Sequence, residues 1–156
     1  MKLFGWLMSA MLIFSCIGCA PEEEKSKTYP SLDSIANTLW YSVDTTNQIY
    51  YDIYYKESTG VMERYSNSLR DELISSRNFT YTFTPATSQI DALVNLTFED
   101  GERYGGILIP KGNFQVNDED VYWIQLYEVD EKGEIIYDEN GKIKSSILMW
   151  LDEESE

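Results

Sequence analysis

Residues 78–98 read NFTYTFTPATSQIDALVNLTF, and this stretch decides the fold class. Apolar and aromatic side chains occupy every second position, first at Phe79, Tyr81 and Phe83 and then again over residues 90–98. This period of two places such side chains on one face of a half-buried β-strand. The stretch therefore predicts two β-strands, each with one apolar face.

The same alternation continues through most of the chain beyond residue 31, in segments rich in β-branched and aromatic residues. The turns at residues 99–101 (EDG) and 140–141 (NG) are typical of hairpins. No long helix separates any two strands, so an antiparallel sheet is expected. A twisted sheet of about eight strands tends to close into a barrel, which removes its edges. The predicted strands are residues 39–43, 48–56, 60–65, 78–84, 90–98, 103–109, 121–129 and 145–151.

Three segments depart from the strand pattern. Residues 31–37 suit a short helical turn with Ser31 as its N-cap. Residues 66–76 carry apolar side chains at near-helical spacing, which predicts a short helix or a mobile loop. Residues 129–144 repeat an Asp-Glu-x-Gly motif and predict an acidic β-ribbon with two hairpin turns. Neither motif has the alternating carboxylates of a calcium-binding EF-hand, so no metal is expected.

The first 18 residues have the layout of a signal peptide. Lys2 precedes an apolar run that is too short for a comfortable membrane span. The run ends at Cys19, directly after a glycine, and this junction resembles the lipobox of bacterial lipoproteins. The resemblance implies cleavage before Cys19 and attachment of lipid to this residue. The alternative is an ordinary secretory signal with incidental cysteines.

Residues 19–30 follow as a polar tether that is too poor in apolar residues to fold by itself. Its acidic run at residues 22–24 resembles the export signal of Bacteroidetes lipoproteins displayed on the cell surface. That resemblance implies an outer-membrane protein, lipid-anchored and exposed at the surface, and the alternative is a solvated spacer. Residues 31–156 then form the single β-barrel domain.

The order of motifs in the barrel domain resembles the small lipocalin-like lipoproteins of Bacteroidetes, most of which have no assigned activity. The likeness covers roughly residues 35–128 and implies a calycin-like barrel. Thr38 stands where the lipocalin signature has a glycine two residues before the tryptophan. The residues that carry the likeness are Trp40, the stretches 50–53 (YYDI), 79–83 (FTYTF) and 90–98, the turn 100–101 (DG), and 104–107 (YGGI).

Composition excludes several functions. The 156 residues include no histidine, which removes every His-based triad, general base and metal site. A formal charge of -15 argues against a basic surface for nucleic acid or anionic lipid. No Gly-x-Ser-x-Gly elbow, phosphate loop or dinucleotide motif occurs. Asp52 and Asp91 are the remaining candidates for acid catalysis, but alternation places both on solvent-facing sides of their strands, so no enzyme and no cofactor are expected.

Tyrosine is the most abundant aromatic residue, with 12 against 6 phenylalanines. Tyr50 and Tyr54 project from the face opposite the apolar set and could bind a sugar or a protein; alternatively, tyrosine merely pads a small core. We expect the barrel to bind a small molecule or glycan. The alternatives are an inhibitor or adhesion module that presents the acidic ribbon or the tyrosine face to a basic protein, and a carboxylate-dependent glycan hydrolase. The candidate ligand-binding residues are Trp40, Tyr51, Tyr81, Phe98 and Trp123.

Two tripeptides, at residues 33–35 (DSI) and 44–46 (DTT), match the short O-glycosylation sequon of exported Bacteroidetes proteins. The hydroxyls that would carry the glycans belong to Ser34 and Thr45. Because tripeptides this loose also occur by chance, chance matches are the alternative.

Overall fold

The computed structural model describes residues 32–151, and this part of the chain is an all-β closed barrel. Eight strands form the barrel and two very short strands pair beside it, which confirms the predicted fold class. The ten strands are β1 (Thr38–Asp44), β2 (Ile49–Tyr55), β3 (Thr59–Tyr65), β4 (Leu73–Thr84), β5 (Ala92–Phe98), β6 (Arg103–Ile109), β7 (Gln115–Val116), β8 (Glu119–Asp120), β9 (Trp123–Glu128) and β10 (Ser146–Leu151).

Around the barrel the order is β1, β10, β9, β6, β5, β4, β3 and β2, and β2 pairs with β1 to close the sheet. Every neighbouring pair is antiparallel, as the absence of helical crossovers predicts. Chain order is followed except where the β7–β8 hairpin interrupts the connection from β6 to β9. Sequence analysis did not predict that hairpin, which is only two residues long on each side.

Of the predicted exceptions, one is wrong and another is only partly right. Residues 32–37 form a bend and a turn, not a helical turn, and Asn37 takes a left-handed backbone conformation with φ of 60°. Ser31, the expected N-cap, lies outside the described residues. For the segment 66–76 the predicted helix is absent, whereas the alternative of a loop holds for residues 66–72; the last four residues begin the long strand β4 and pair with β3. Strand pairing here overrides the near-helical spacing of the apolar residues.

The register of the strands defines the inner face. Trp40 on β1 lies opposite Ile53 on β2, which lies opposite Met62 on β3, which lies opposite Arg77 on β4. Because side chains alternate along each strand, every second residue from these positions also points inward. The inner positions of β5 show this alternation in full, with buried and exposed residues strictly alternating from Ala92 to Phe98.

The barrel is closed at the end where β1 begins. Ile35 is fully buried there and belongs to the core, although it precedes the first strand. The Thr38 hydroxyl donates a hydrogen bond to the Ile35 carbonyl at 2.5 Å, and the Trp40 indole N–H donates to the Thr38 hydroxyl at 2.8 Å. These two bonds fasten the incoming segment across this end.

Aromatic rings fill the interior above this closure. Tyr55 packs edge-to-face against Phe79 at 5.4 Å and against Tyr81 at 4.9 Å between ring centroids. Phe79 in turn meets Phe98 at 5.6 Å. Gly60 on β3 leaves the space that the Phe79 ring occupies, since a Cβ there would lie only 2.1 Å from its Cζ. This half of the barrel is therefore packed solid by its own side chains.

The segment between β9 and β10 is a small ribbon at the opposite end. The carboxylate of Asp130 accepts hydrogen bonds from two backbone N–H groups of its turn, and Asp138 does the same in the next turn. Gly133 and Gly141 complete these turns with positive φ angles. The two repeated motifs thus form two successive hairpin turns, as predicted.

Candidate functional site

A cavity of about 440 Å³ opens at the end of the barrel opposite the closure. It lies where β1 ends and β10 begins, next to the β9–β10 ribbon. Its volume falls within the range of ordinary small-molecule pockets, about 300–1,000 Å³. The lining residues are Ser42, Val43, Asp44, Thr45, Tyr51, Met62, Arg77, Tyr104, Ser145, Ser146, Ile147 and Leu148.

One side of the cavity is apolar. Tyr51, Met62 and Ile147 come from three different strands and reach the cavity because each occupies an inner position of its strand. Met62 is buried, whereas Tyr51 and Ile147 pack against the core while keeping part of their surface free. Their free surface gives an organic ligand an apolar wall to cover.

The other side is built from a hydrogen-bonded chain of polar groups. Arg77 projects inward from β4, stacks over the Phe98 ring at 4.0 Å, and pairs with Asp100 at 2.7 Å and Glu102 at 2.5 Å. The Tyr104 hydroxyl donates to Glu102 at 2.9 Å and lies 3.0 Å from the hydroxyl of Ser145. Burial raises the pKa of Tyr104 to about 12, and the neighbouring Glu102 acts in the same direction. This wall therefore carries a cation that is already paired with two carboxylates.

Arg64 is not a lining residue of the cavity, but it lies beside it, next to the lining residues Tyr51 and Met62. It lies opposite Tyr51 and two residues after Met62, on the inner face of β3. Its Nε is buried and has no hydrogen-bond partner. Hydrogen bonds from Asn47 lower the pKa of the nearby Asp44, and the charge of Arg64 lowers it further. A buried guanidinium N–H without an acceptor is costly, so this group stands out among the polar groups of the barrel.

Only one of the five predicted ligand-binding residues lines the cavity, and that residue is Tyr51. Trp40 and Phe98 are buried in the packed core. Tyr81 lies near the closed end, where its hydroxyl donates to the backbone carbonyl of Lys56 at 2.5 Å. These aromatic residues therefore form the base of the barrel below the cavity.

Trp123, the fifth predicted residue, occupies an outward position of β9. Its ring packs against Phe114 from the connection after β6, with 5.3 Å between centroids. The indole N–H is buried without a hydrogen-bond partner. The structure thus places this tryptophan away from the cavity, under the β6–β9 connection.

The outward position predicted for Asp52 is confirmed, but the expectation that it faces solvent is wrong. Asp52 is only 5% exposed, because Arg70 folds back from the β3–β4 loop and pairs with it. Arg70 also lies over the ring of Tyr41 at 4.3 Å. An ion pair with a residue 18 positions away leaves no trace in the strand pattern. Asp91 is exposed just before β5, as expected.

The predicted tyrosine face lies on the outside of β2. Tyr50 is partly covered by Arg70, whose guanidinium lies 6.0 Å from the ring centroid, and Tyr54 is exposed. A shallow groove of about 490 Å³ runs beside Tyr54 on this outer surface, between Leu39 and Val61. The groove is more open than the inner cavity, and it gives a bound molecule fewer walls.

The remaining predicted sites are on the surface or outside the described residues. Cys19 and the tether belong to the part of the chain that the structure does not describe. Ser34 is exposed in the segment before β1, and its hydroxyl accepts a hydrogen bond from the Ala36 N–H. Thr45 is exposed in the β1–β2 turn. Both hydroxyls are therefore accessible to a modifying enzyme.

Sequence analysis missed the polar residues of the cavity. Arg77 follows the alternation of Phe79 and Tyr81, so starting β4 one residue earlier would have placed it inside. Arg64 likewise shares the parity of Met62. Ser145 shares the parity of Ile147 and Met149 in the predicted strand, so the same alternation would have placed it inside; its contact with Tyr104 depends on how the ribbon returns to the barrel.

In comparisons with protein-family models, curated proteins and solved structures, no match to this chain was found. Within residues 32–151, no group of three metal-ligating acids, cysteines or histidines is close enough to hold an ion. Nor does any helix in this part of the chain have the length and hydropathy to cross a membrane.

Proposed function

We propose that this chain is an outer-membrane lipoprotein, exposed at the cell surface, whose barrel binds a small amphipathic ligand without catalysis. The observation that carries the proposal is the inner cavity of about 440 Å³, closed below by packed aromatic rings. Most of its lining residues are polar, and Tyr51, Met62 and Ile147 form one apolar side. An amphiphile matches both parts, with its polar group against the polar side and its apolar part against these three residues, and we propose it ahead of a glycan on that ground.

The acids near the cavity support a role in binding. A glycosidase needs one carboxylic acid that holds its proton and one free carboxylate close by. Asp100 and Glu102 are both paired with Arg77, and Asp52 lies on the outer face of the barrel. The lipid anchor rests on the sequence around Cys19.

Fluorescence titration with N-phenyl-1-naphthylamine, an uncharged amphiphile, tests ligand binding. Ile147→Trp puts a larger side chain into the cavity and should weaken probe binding at least tenfold. Leu93→Trp is the matched control, because Leu93 is exposed on the outside of β5. Equal binding by both variants, or no binding by the unmodified protein, would contradict the proposal.

The anchor has its own test. Intact mass of the native protein should equal that of residues 19–156 plus acyl groups, and Cys19→Ala should release the protein from the membrane fraction. Glycans at Ser34 or Thr45 would add further mass, which each alanine variant would remove. A Cys19→Ala protein that stays in the membrane fraction would contradict anchoring through this residue.

Exposed apolar residues on the ribbon support a second function, the binding of a basic protein. Ile135 and Ile143 are 37% and 43% exposed, and Tyr137 is 57% exposed, among acidic neighbours. Apolar contact surrounded by charge is typical of protein interfaces. Lysozyme serves as a basic probe enzyme: Tyr137→Ser should weaken its binding at physiological salt, while Leu93→Ser should not. Binding that disappears on adding salt and ignores Tyr137 would mean charge attraction alone.

A further inference from the structure

We infer that the ligand carries an anionic group, such as a carboxylate, sulfonate or phosphate, that binds to Arg64 at the cavity rim. The inference rests on the proposed ligand-binding function and specifies the chemistry of the ligand. It begins from the Nε of Arg64, which is enclosed by the barrel and has no acceptor. Arginine binds planar anions through paired N–H donors, of which Nε is one.

Arg64 differs from the other cations around the cavity, because the nearby charge of Asp44 acts on it without forming an ion pair or a hydrogen bond in residues 32–151. Asp44 accepts hydrogen bonds from the backbone of Thr46 and from the backbone and side chain of Asn47, so its carboxylate is held by the β1–β2 turn. Lys144, at the end of the β9–β10 ribbon, pairs with the buried Glu128. Arg77 is paired with two acids, as described above.

Arg64, by contrast, forms no ion pair or hydrogen bond with any residue in the described part of the chain. An anionic group of a ligand would supply the hydrogen-bond acceptor that Arg64 lacks in the protein itself.

The position of Arg64 also suits an amphiphile, because the polar rim lies directly beside the apolar wall. Tyr51 lies opposite Arg64 across the strand pair, and Met62 lies two residues below it on the same face. A molecule whose anionic group rests on Arg64 can therefore extend its apolar part down toward Met62 and Ile147. The rigid pair formed by Arg77 and Glu102 bounds this path on the far side.

Two probes that differ by one sulfonate test the inference. 8-Anilino-1-naphthalenesulfonate is the anionic counterpart of N-phenyl-1-naphthylamine, and both become fluorescent in apolar surroundings. Arg64→Met removes the charge and keeps a side chain of similar length. We expect it to weaken binding of the anionic probe about tenfold or more, the scale of one charge-assisted hydrogen bond, while the neutral probe changes by less than about twofold.

Arg103→Met is the control for net charge, since Arg103 lies on the outward face of β6. Arg103→Met should leave the affinity for both probes unchanged. Circular dichroism should show that Arg64→Met and Arg103→Met both have β-structure and unfold cooperatively on heating. Arg64→Lys should bind the anionic probe more tightly than Arg64→Met but less tightly than the unmodified protein, because lysine keeps the positive charge but lacks the paired N–H donors of the guanidinium. Ile147→Trp should weaken both probes, which places them in the cavity.

Each other outcome has a definite meaning. If the neutral probe binds and the anionic probe does not, or if Arg64→Met weakens both equally, the anion site is wrong and ligand binding in the cavity stands. The same holds if Arg103→Met matches Arg64→Met. If neither probe binds the unmodified protein, the proposed function fails and the anion site fails with it.

Discussion

Gly60 is expected to be among the most sensitive positions in the barrel. A Cβ at this position would lie 2.1 Å from Cζ and 2.4 Å from Cε2 of Phe79, and 2.6 Å from the backbone oxygen of Tyr54. Carbon atoms in contact prefer about 3.5–4.0 Å, so Gly60→Ala creates an overlap of about 1.4 Å or more. The ring cannot move away freely, because Tyr55 and Phe98 hold it from two sides.

The cost follows from two opposing contributions. Overpacking of a buried core costs about 1–3 kcal/mol, and this overlap belongs at the upper end. Alanine also lowers the conformational entropy of the unfolded chain, which stabilises the folded state by about 0.4–1 kcal/mol. Gly60 has no positive φ, so alanine adds no backbone strain at this position. Gly60→Ala should therefore reduce the free energy of unfolding by about 2 kcal/mol. In urea, with an m-value of about 2 kcal/mol/M, the midpoint should fall by about 1 M.

A double-mutant cycle isolates the contact with the ring. Phe79→Leu removes both clashing ring atoms, so Gly60→Ala should cost at least about 1 kcal/mol less in that background. Rescue should be incomplete because the Tyr54 oxygen remains. Gly105→Ala is the control, since a Cβ there would meet only the Asn95 side chain at 3.0 Å and Val129 beyond it. Additive effects of the two substitutions, or equal costs at Gly60 and Gly105, would refute the reasoning.

Three further predictions follow from the same structure. Arg70→Met should cost about 1–3 kcal/mol in urea denaturation, because Asp52 stays buried without its cation, and adding Asp52→Asn should recover part of that loss; no recovery would contradict it. Burial raises the pKa of Tyr104 from about 10 to about 12, so its contribution is complete below pH 10 and is lost as pH rises to 12. The difference in phenolate absorbance between the unmodified protein and Tyr104→Phe should develop in that window together with a change in circular dichroism, and a difference that develops near pH 10 in an intact barrel would be the contrary result. Gly106→Ala should prevent folding, as its Cβ would lie 1.8 Å from the backbone oxygen of Gln125, and a soluble, cooperatively melting variant would disprove this.

The barrel could be predicted because its determinants are local and repeated. Alternation in β5, from Ala92 to Phe98, marks one inner face, and the register then transfers that parity to every other strand. The aromatic residues chosen as ligand contacts illustrate the limit of this information. Trp40 and Phe98 do point inward, as the alternation along their strands requires. The alternation does not show, however, where along the barrel axis the packed interior ends and the cavity begins.

The height at which packing stops depends on contacts between distant parts of the chain. Ile35 closes one end through Thr38, a contact that the expected helical turn would not have shown. At the other end, the return of the chain from the ribbon places Ser145, a lining residue of the cavity, beside Tyr104. Asp52 on the outer face is a further example, because the ion pair with Arg70 from the β3–β4 loop buries a strand position that alternation predicts to be exposed.

The charge of the chain and the charge of the cavity rim favour different steps of binding. A net charge of -15 repels an anion at long range, yet at physiological salt the field is screened beyond about 8 Å. Inside that distance the acids around the cavity are already held, Asp44 by its turn and Glu102 by Arg77, while Arg64 is not. The acidic exterior would therefore slow the approach of an anionic amphiphile, and the guanidinium of Arg64 would hold it once it has entered.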